Sequence, residues 1–155
     1  MEQIERTRRY LKRVRDIYAG VPYIKKGMRE YYVDDVLSFF IHCYHIADWI
    51  VTLNVLGVKR ENVDTFINAH PELRICADLC NGTKHCDLRN KRTKRQPHLG
   101  SWSFESDGTN GVFHTTKGEF QILSDGNWYD ALDLAESCMR LWDDFVAELK
   151  TSANH

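Results

Sequence analysis

The run from Val36 to Val58 limits the possible folds of this chain more than any other stretch. It is apolar enough to suggest a membrane span, yet His42, His45, Asp48 and Asn54 interrupt it. A charged side chain inside a span is costly. At 100° per residue, Val36, Phe40, Cys43, Ala47, Ile50, Val51 and Asn54 share one broad face. Ser38, His42, His45, Trp49 and Thr52 gather on the opposite side, with Asp48 at its edge. This is the pattern of a long buried helix in a soluble protein, from about Arg29 to Leu56 and stopped by Gly57. Its apolar face requires other helices to cover it.

Those helices are legible on either side. Residues 2–19 carry a helical stripe of Ile4, Leu11, Val14, Ile17 and Tyr18, with Arg6, Arg8, Arg9, Lys12, Arg13 and Arg15 over the remainder. Gly20 and Pro22 end it, and residues 21–28 form a connector with Lys25 and Lys26. A short helix over about Glu61–Ala69 leads to His70-Pro71. Pro71 suits the first turn of a further helix reaching about Leu88. On that helix Ile75, Cys76, Leu79, Cys80, Gly82, Thr83 and Cys86 form the core face. Arg74, Asp78, Asn81 and His85 form one narrow polar stripe. A basic loop, 89–98, precedes a switch to a two-residue period. Ser101–Ser106, Gly111–Thr116 and Glu119–Leu123 read as strands, with turns at 107–111 and at Lys117-Gly118. The last helix, about Tyr129–Lys150, places Leu134, Cys138, Leu141, Trp142, Phe145 and Leu149 on one face, with Asn127 or Asp125 as its cap. Residues 151–155 are expected to fray. The expected fold is mainly α. It is a four-helix antiparallel bundle with an extra short helix and a small antiparallel β meander, about 100–124, inserted before the last helix, in one domain over 1–155.

Composition is that of an ordinary soluble globular chain of 155 residues, 43% hydrophobic and 28% charged. The net charge of −1 hides an asymmetry. Residues 1–98 carry 18 Lys/Arg against 12 Asp/Glu, and residues 99–155 carry 3 against 10. Either the basic part meets an anionic partner or the two parts pack together and neutralise. Five cysteines without an apolar secretory segment point to a reducing cytoplasm. No helix-turn-helix, Walker or Rossmann pattern occurs.

Leu79-Cys80-Asn81-Gly82-Thr83-Lys84-His85 puts an amide, an ammonium and an imidazole within two helical turns. Asn81 and Gly82 are both unfavourable inside a helix, Gly by ~1 kcal/mol relative to Ala. Gly82 is explained if a neighbouring helix approaches closely, and Asn81 if it holds a buried hydrogen-bond network. In one account Asn81 and His85 bond to His45 or Asp48 and fix helix register. In the other they belong to an active site.

Cys80-Asn81-Gly82-Thr83-Lys84-His85 resembles the motif of the HEPN group (higher-eukaryote and prokaryote nucleotide-binding proteins). Many ribonucleases of that group carry an Arg, a polar residue that is often Asn, and then His on a late helix of a small bundle. Asn81 and His85 stand in register, and Cys80 stands where the group has its Arg. The resemblance implies metal-independent RNA cleavage at a site built across a homodimer. His85 would act as general acid or base, Lys84 would stabilise phosphate charge and Asn81 would orient the reacting groups. His45 and Asp48 would complete the relay. Cys43-Tyr44-His45 with Asp48-Trp49, Leu73–Asn81 with Lys84-His85, and Ala131–Cys138 also look like small uncharacterised bacterial and phage proteins, a likeness that implies no activity. A non-enzymatic interaction module with a structural polar core is therefore the alternative.

His42, His45, Asp48, Asp78 and His85 could converge, but the Glu-x-x-His pairs of di-iron bundles are absent. Cys76, Cys80 and Cys86 spread over an arc of roughly 120°, too wide for one ion. No metal or cofactor is expected. Lys84, Arg89, Lys91, Arg92, Lys94 and Arg95 place six cations in twelve residues. A loop this basic can follow a phosphate backbone, with Trp102 and Phe104 beyond it to stack bases. Otherwise it is a solvated loop beside an ordinary apolar face. The expected ligand is RNA or another phosphate-bearing molecule, contacted by Arg89, Lys91, Arg92, Lys94 and Arg95, with no membrane association.

Overall fold

A computed structural model describes residues 1–21, 29–85, 88–109 and 112–152. Pro22, Lys25 and Lys26 of the connector, Cys86, Asp87, Asn110 and Gly111 of the expected 107–111 turn and residues 153–155 lie outside the described residues. The chain is mainly helical, with a small sheet before the last helix. Helices α1 (Glu2–Tyr18) and α2 (Arg29–Thr52) are followed by a 3-10 turn at Val55–Gly57, then α3 (Arg60–Ala69) and α4 (Pro71–Lys84). Strands β1 (His98–Thr109), β2 (Val112–Ser124) and β3 (Asn127–Asp130) precede α5 (Ala131–Ser152).

Helix α2 is the centre of the core and touches α1, α4 and α5. Its expected apolar face is buried at Val36, Phe40, Cys43, Ala47 and Ile50. Phe39 and Ile46 are buried as well, because neighbours cover the helix from more than one side. Each such aliphatic or aromatic side chain contributes roughly 1.5–3 kcal/mol. The opposite side is half covered rather than bare. The His42 ring stacks on Tyr10 of α1 at 4.6 Å, and the buried Gln3 amide donates to the His42 carbonyl at 2.7 Å. No helix among the described residues is long and apolar enough to cross a membrane.

The basic first helix meets the acidic last one. Arg8 pairs with Asp143 and Arg15 with Glu136, each at 2.8 Å. These exposed pairs are worth little individually, but they account for part of the charge asymmetry by internal neutralisation.

The sheet has the order β1-β2-β3, antiparallel throughout. The two expected strands on either side of Lys117-Gly118 are one strand, β2. Gly118 is not a turn glycine but a site of close approach. A Cβ there would lie 3.0 Å from Phe104 and 3.1 Å from Ile17 of α1. The true second turn is Asp125-Gly126, with φ of 53° and 83°, the backbone of a two-residue hairpin turn. Helix α5 accordingly starts later than expected. Its cap is neither Asn127 nor Asp125 but Asp130, whose Oδ1 accepts the Leu132 and Asp133 N–H groups at 2.9 and 3.1 Å. Gly118→Val should cost about 1–3 kcal/mol through overpacking, read as a lower urea midpoint. An unchanged midpoint would mean that α1 does not press on β2 there.

Helix α4 stops at Lys84, short of the expected Leu88, and His85 takes an extended conformation with φ −129° and ψ 116°. Thr83, expected in the core, is exposed. Gly82 accommodates a loop side chain rather than a helix, since a Cβ would lie 2.9 Å from Nε2 of Gln96.

Candidate nucleic-acid interface

Asp78 organises the basic loop. Its carboxylate, only 1% exposed, accepts the Arg92 N–H at 2.8 Å, the Thr93 N–H at 2.8 Å and the Thr93 hydroxyl at 2.7 Å. A buried carboxylate is tolerable when donors surround it in this way. The loop is fixed at further points. Arg92 donates to Asn68 at 2.6 Å and to Asp64 at 2.8 Å. Gln96 accepts the Leu88 N–H at 3.0 Å. Asp125, in the β2–β3 turn, accepts the backbone N–H groups of Lys94 and Arg95. Lys91 donates to the Leu88 carbonyl at 2.8 Å. The loop is therefore held against α4 and the sheet.

This fixing opens a cleft of about 300 Å³ between the start of α4, the loop and the β2–β3 turn. Arg74, Arg92, Lys94, Ser124, Asp125 and Tyr129 are among its walls. Two of them are unsatisfied. The Arg74 Nε and the Ser124 hydroxyl are buried without a hydrogen-bond partner, and Ser124 is 2% exposed. Buried polar groups normally find partners. An arginine with an unpartnered Nε and a serine with an unpartnered hydroxyl on the walls of one cleft, with Arg92 and Lys94 there too, suit an oxyanion. Arg74 stood in the polar stripe read from the sequence. Ser124 was missed, because its place on the cleft wall depends on the position of a turn that the sequence put elsewhere.

The other end of α4 holds the expected catalytic residues. His45 Nε2 lies 4.0 Å from the Cys80 sulfur, so α2 presents His45 to α4. Burial lowers the His45 pKa and Lys84 lowers it further, against the opposing pull of Asp48. Burial pushes the Cys80 thiol up to about 11, against the pull of Lys84. Asp48 is tied to Arg60 at 2.7 Å. His45, Asp48, Cys80 and Lys84 thus form one neighbourhood. Asn81 is half-buried and His85 exposed. Because His85 has left the helix, its side chain no longer stacks over Asn81 as i and i+4 residues do in a helix. The contact between them is from the His85 N–H to the Asn81 carbonyl, at 3.0 Å. Arg74 and Lys84 are ten helical residues apart, about 15 Å along the axis, so the cleft and the His45 neighbourhood are separate places.

The His45 shift has a consequence for stability. Its ordinary value is 6.5 and its folded value is lower, so the unfolded chain takes up the proton first as pH falls. Stability is therefore expected to fall as pH drops below about 6.5, until the folded imidazole also protonates. His45→Gln should flatten that part of a melting-temperature profile against pH. An unaltered slope would place His45 in open solvent.

Among the described residues, the group suited to a metal is none of the histidine sets but Cys43, Cys76 and Cys138. Phe104, a candidate for base stacking, is turned inward against Phe120 at 5.6 Å, whereas Trp102 is 52% exposed. The chain matches no known family model, no curated protein and no solved structure.

Proposed function

We propose that the chain binds RNA or a nucleotide through phosphate, at the cleft that begins at Arg74. The observation that carries this is the pair of buried, unpartnered groups, the Arg74 Nε and the Ser124 hydroxyl, in a cleft also walled by Arg92 and Lys94. A phosphate seated among these walls would draw on Arg74, Ser124 and Lys94 after a small side-chain adjustment, and the half-buried Tyr129 ring offers a surface for a base. Among the described residues no ion pair to a carboxylate is seen for Lys84, Arg89, Lys94 or Arg95, and these extend the cationic track beyond the cleft. Arg92 is engaged with Asp64 and Asn68 and acts chiefly by holding the loop.

On this account the four longer helices form a HEPN-like bundle whose cleavage centre is degenerate. A protonated, buried Cys80 thiol occupies the place of the group's Arg and supplies no positive charge near a scissile phosphate. The protein then binds RNA without cutting it, as a homodimer whose mass is read by sedimentation. The test is fluorescence anisotropy of a labelled single-stranded RNA over a salt series, with gel analysis of the same RNA. With about three phosphate contacts, log affinity should fall against log salt with a slope of about −2. His85→Ala should leave affinity and RNA length unchanged. RNA cleavage that disappears in folded His85→Ala would instead restore the catalytic account.

A further inference from the structure

Three sulfurs converge in the core. Cys43 of α2, Cys76 of α4 and Cys138 of α5 are each at most 1% exposed. Their Sγ atoms all lie within 4.8 Å of one another. All are free thiols. Cys76 donates its S–H to the Phe40 carbonyl at 3.4 Å and Cys138 donates to the Glu72 carbonyl at 3.5 Å. One helical turn after Cys138, Trp142 is fully buried, and its Nε1–H lies by the Cys43 sulfur without a well-formed hydrogen bond. An indole N–H can only donate, so this core already sets a donor against one of three potential thiolates.

We propose that Cys43, Cys76 and Cys138 form a three-sulfur site for a thiophilic cation of the zinc and cadmium class. Metal–sulfur bonds of about 2.3 Å place three sulfurs around an ion at about 4.0 Å from one another. The present spacing closes to that with movements of under about 1 Å, and a larger ion needs less. Thiolate sulfur selects soft ions over magnesium or calcium. Binding breaks three S–H bonds, releases three protons to solvent and forms three metal–sulfur bonds, with no electron transfer. A divalent ion leaves one net negative charge in the core, whereas copper(I) leaves two, so the divalent ion is favoured. The Trp142 N–H then donates to a thiolate and offsets part of that charge. The competing state is a dry core in which the thiols act as small apolar groups.

The test is an anaerobic titration of the reduced protein with cadmium(II). It is followed by thiolate-to-metal charge-transfer absorption and by the melting temperature. Saturation at one ion per chain and a raised melting temperature are expected. The Cys80→Ser/Cys86→Ser double variant should behave as the parent, while Cys43→Ser and Cys138→Ser should lose the band. Because a core variant can fail to fold, X-ray absorption of the cadmium-loaded parent decides independently, with three sulfurs expected around the ion. A shell of nitrogen and oxygen, a band that does not saturate at one ion, or a band lost in the Cys80/Cys86 variant would overturn the site and leave the thiols as packing groups.

Discussion

Asp78→Ala is expected to destabilise the fold by about 3 kcal/mol. The carboxylate accepts two backbone N–H groups and a hydroxyl from Arg92 and Thr93. Each donor left buried without a partner costs about 1–3 kcal/mol. Release of the loop into water would recover part of that, which keeps the expected loss below the sum. For a chain of this length the melting temperature should fall by about 6–12 °C. The loop should also become a preferred site for limited proteolysis. Asp78→Asn, which keeps an acceptor, should fall between. A loss below about 0.5 kcal/mol for the alanine variant would mean that the loop holds its position without the carboxylate. The cleft would then not depend on it.

The helical part of the fold was legible because its signals are local. The core-facing stripe of α1, the central face of α2 and the α5 face follow from periodicity, and the structure buries most of them, with Tyr18, Val51, Leu141 and Leu149 half-buried and Asn54 exposed; Pro71 does open α4. The errors arose where a residue serves packing at a distance. Gly118 carries a turn signal in the sequence, yet its lack of a side chain serves to admit Phe104 and Ile17. Asp125-Gly126 carries a turn signal that competes, in the sequence, with Asp125 as a helix cap. Its carboxylate instead holds the backbone of Lys94 and Arg95. Neither relation has a local pattern.

The candidate site divides along the same line. Arg74 and Asp78 were placed correctly on a polar stripe, but their roles depend on a loop that returns to α4. Helical phase separated Cys80 from His85. It could not show that Cys80 would instead meet His45, because that contact depends on how α2 and α4 pack. The sequence does place Cys43, Cys76 and Cys138 on the core faces of three helices. Their convergence, however, depends on the helices packing in register, and spacing along one helix directed attention to Cys76, Cys80 and Cys86 instead.

Arg74→Ala should weaken RNA binding by about tenfold or more, equivalent to ~1.4 kcal/mol, while changing stability by less than about 1 kcal/mol. The two effects separate because Arg74 has a buried Nε with no partner inside the protein. Its removal deletes an unsatisfied group rather than a made bond. Arg74→Lys keeps the charge but not the planar fork, and should recover only part of the affinity. Ser124→Ala should give a smaller loss in the same direction. The most direct measurement is the dissociation constant of a labelled single-stranded RNA for the parent and Arg74→Ala at one moderate salt concentration. Melting temperatures of both proteins are taken in the same buffer. A folded Arg74→Ala with at least about tenfold weaker binding is the predicted result. Equal affinity of the two proteins, or no binding by the parent, would contradict a phosphate site at this cleft.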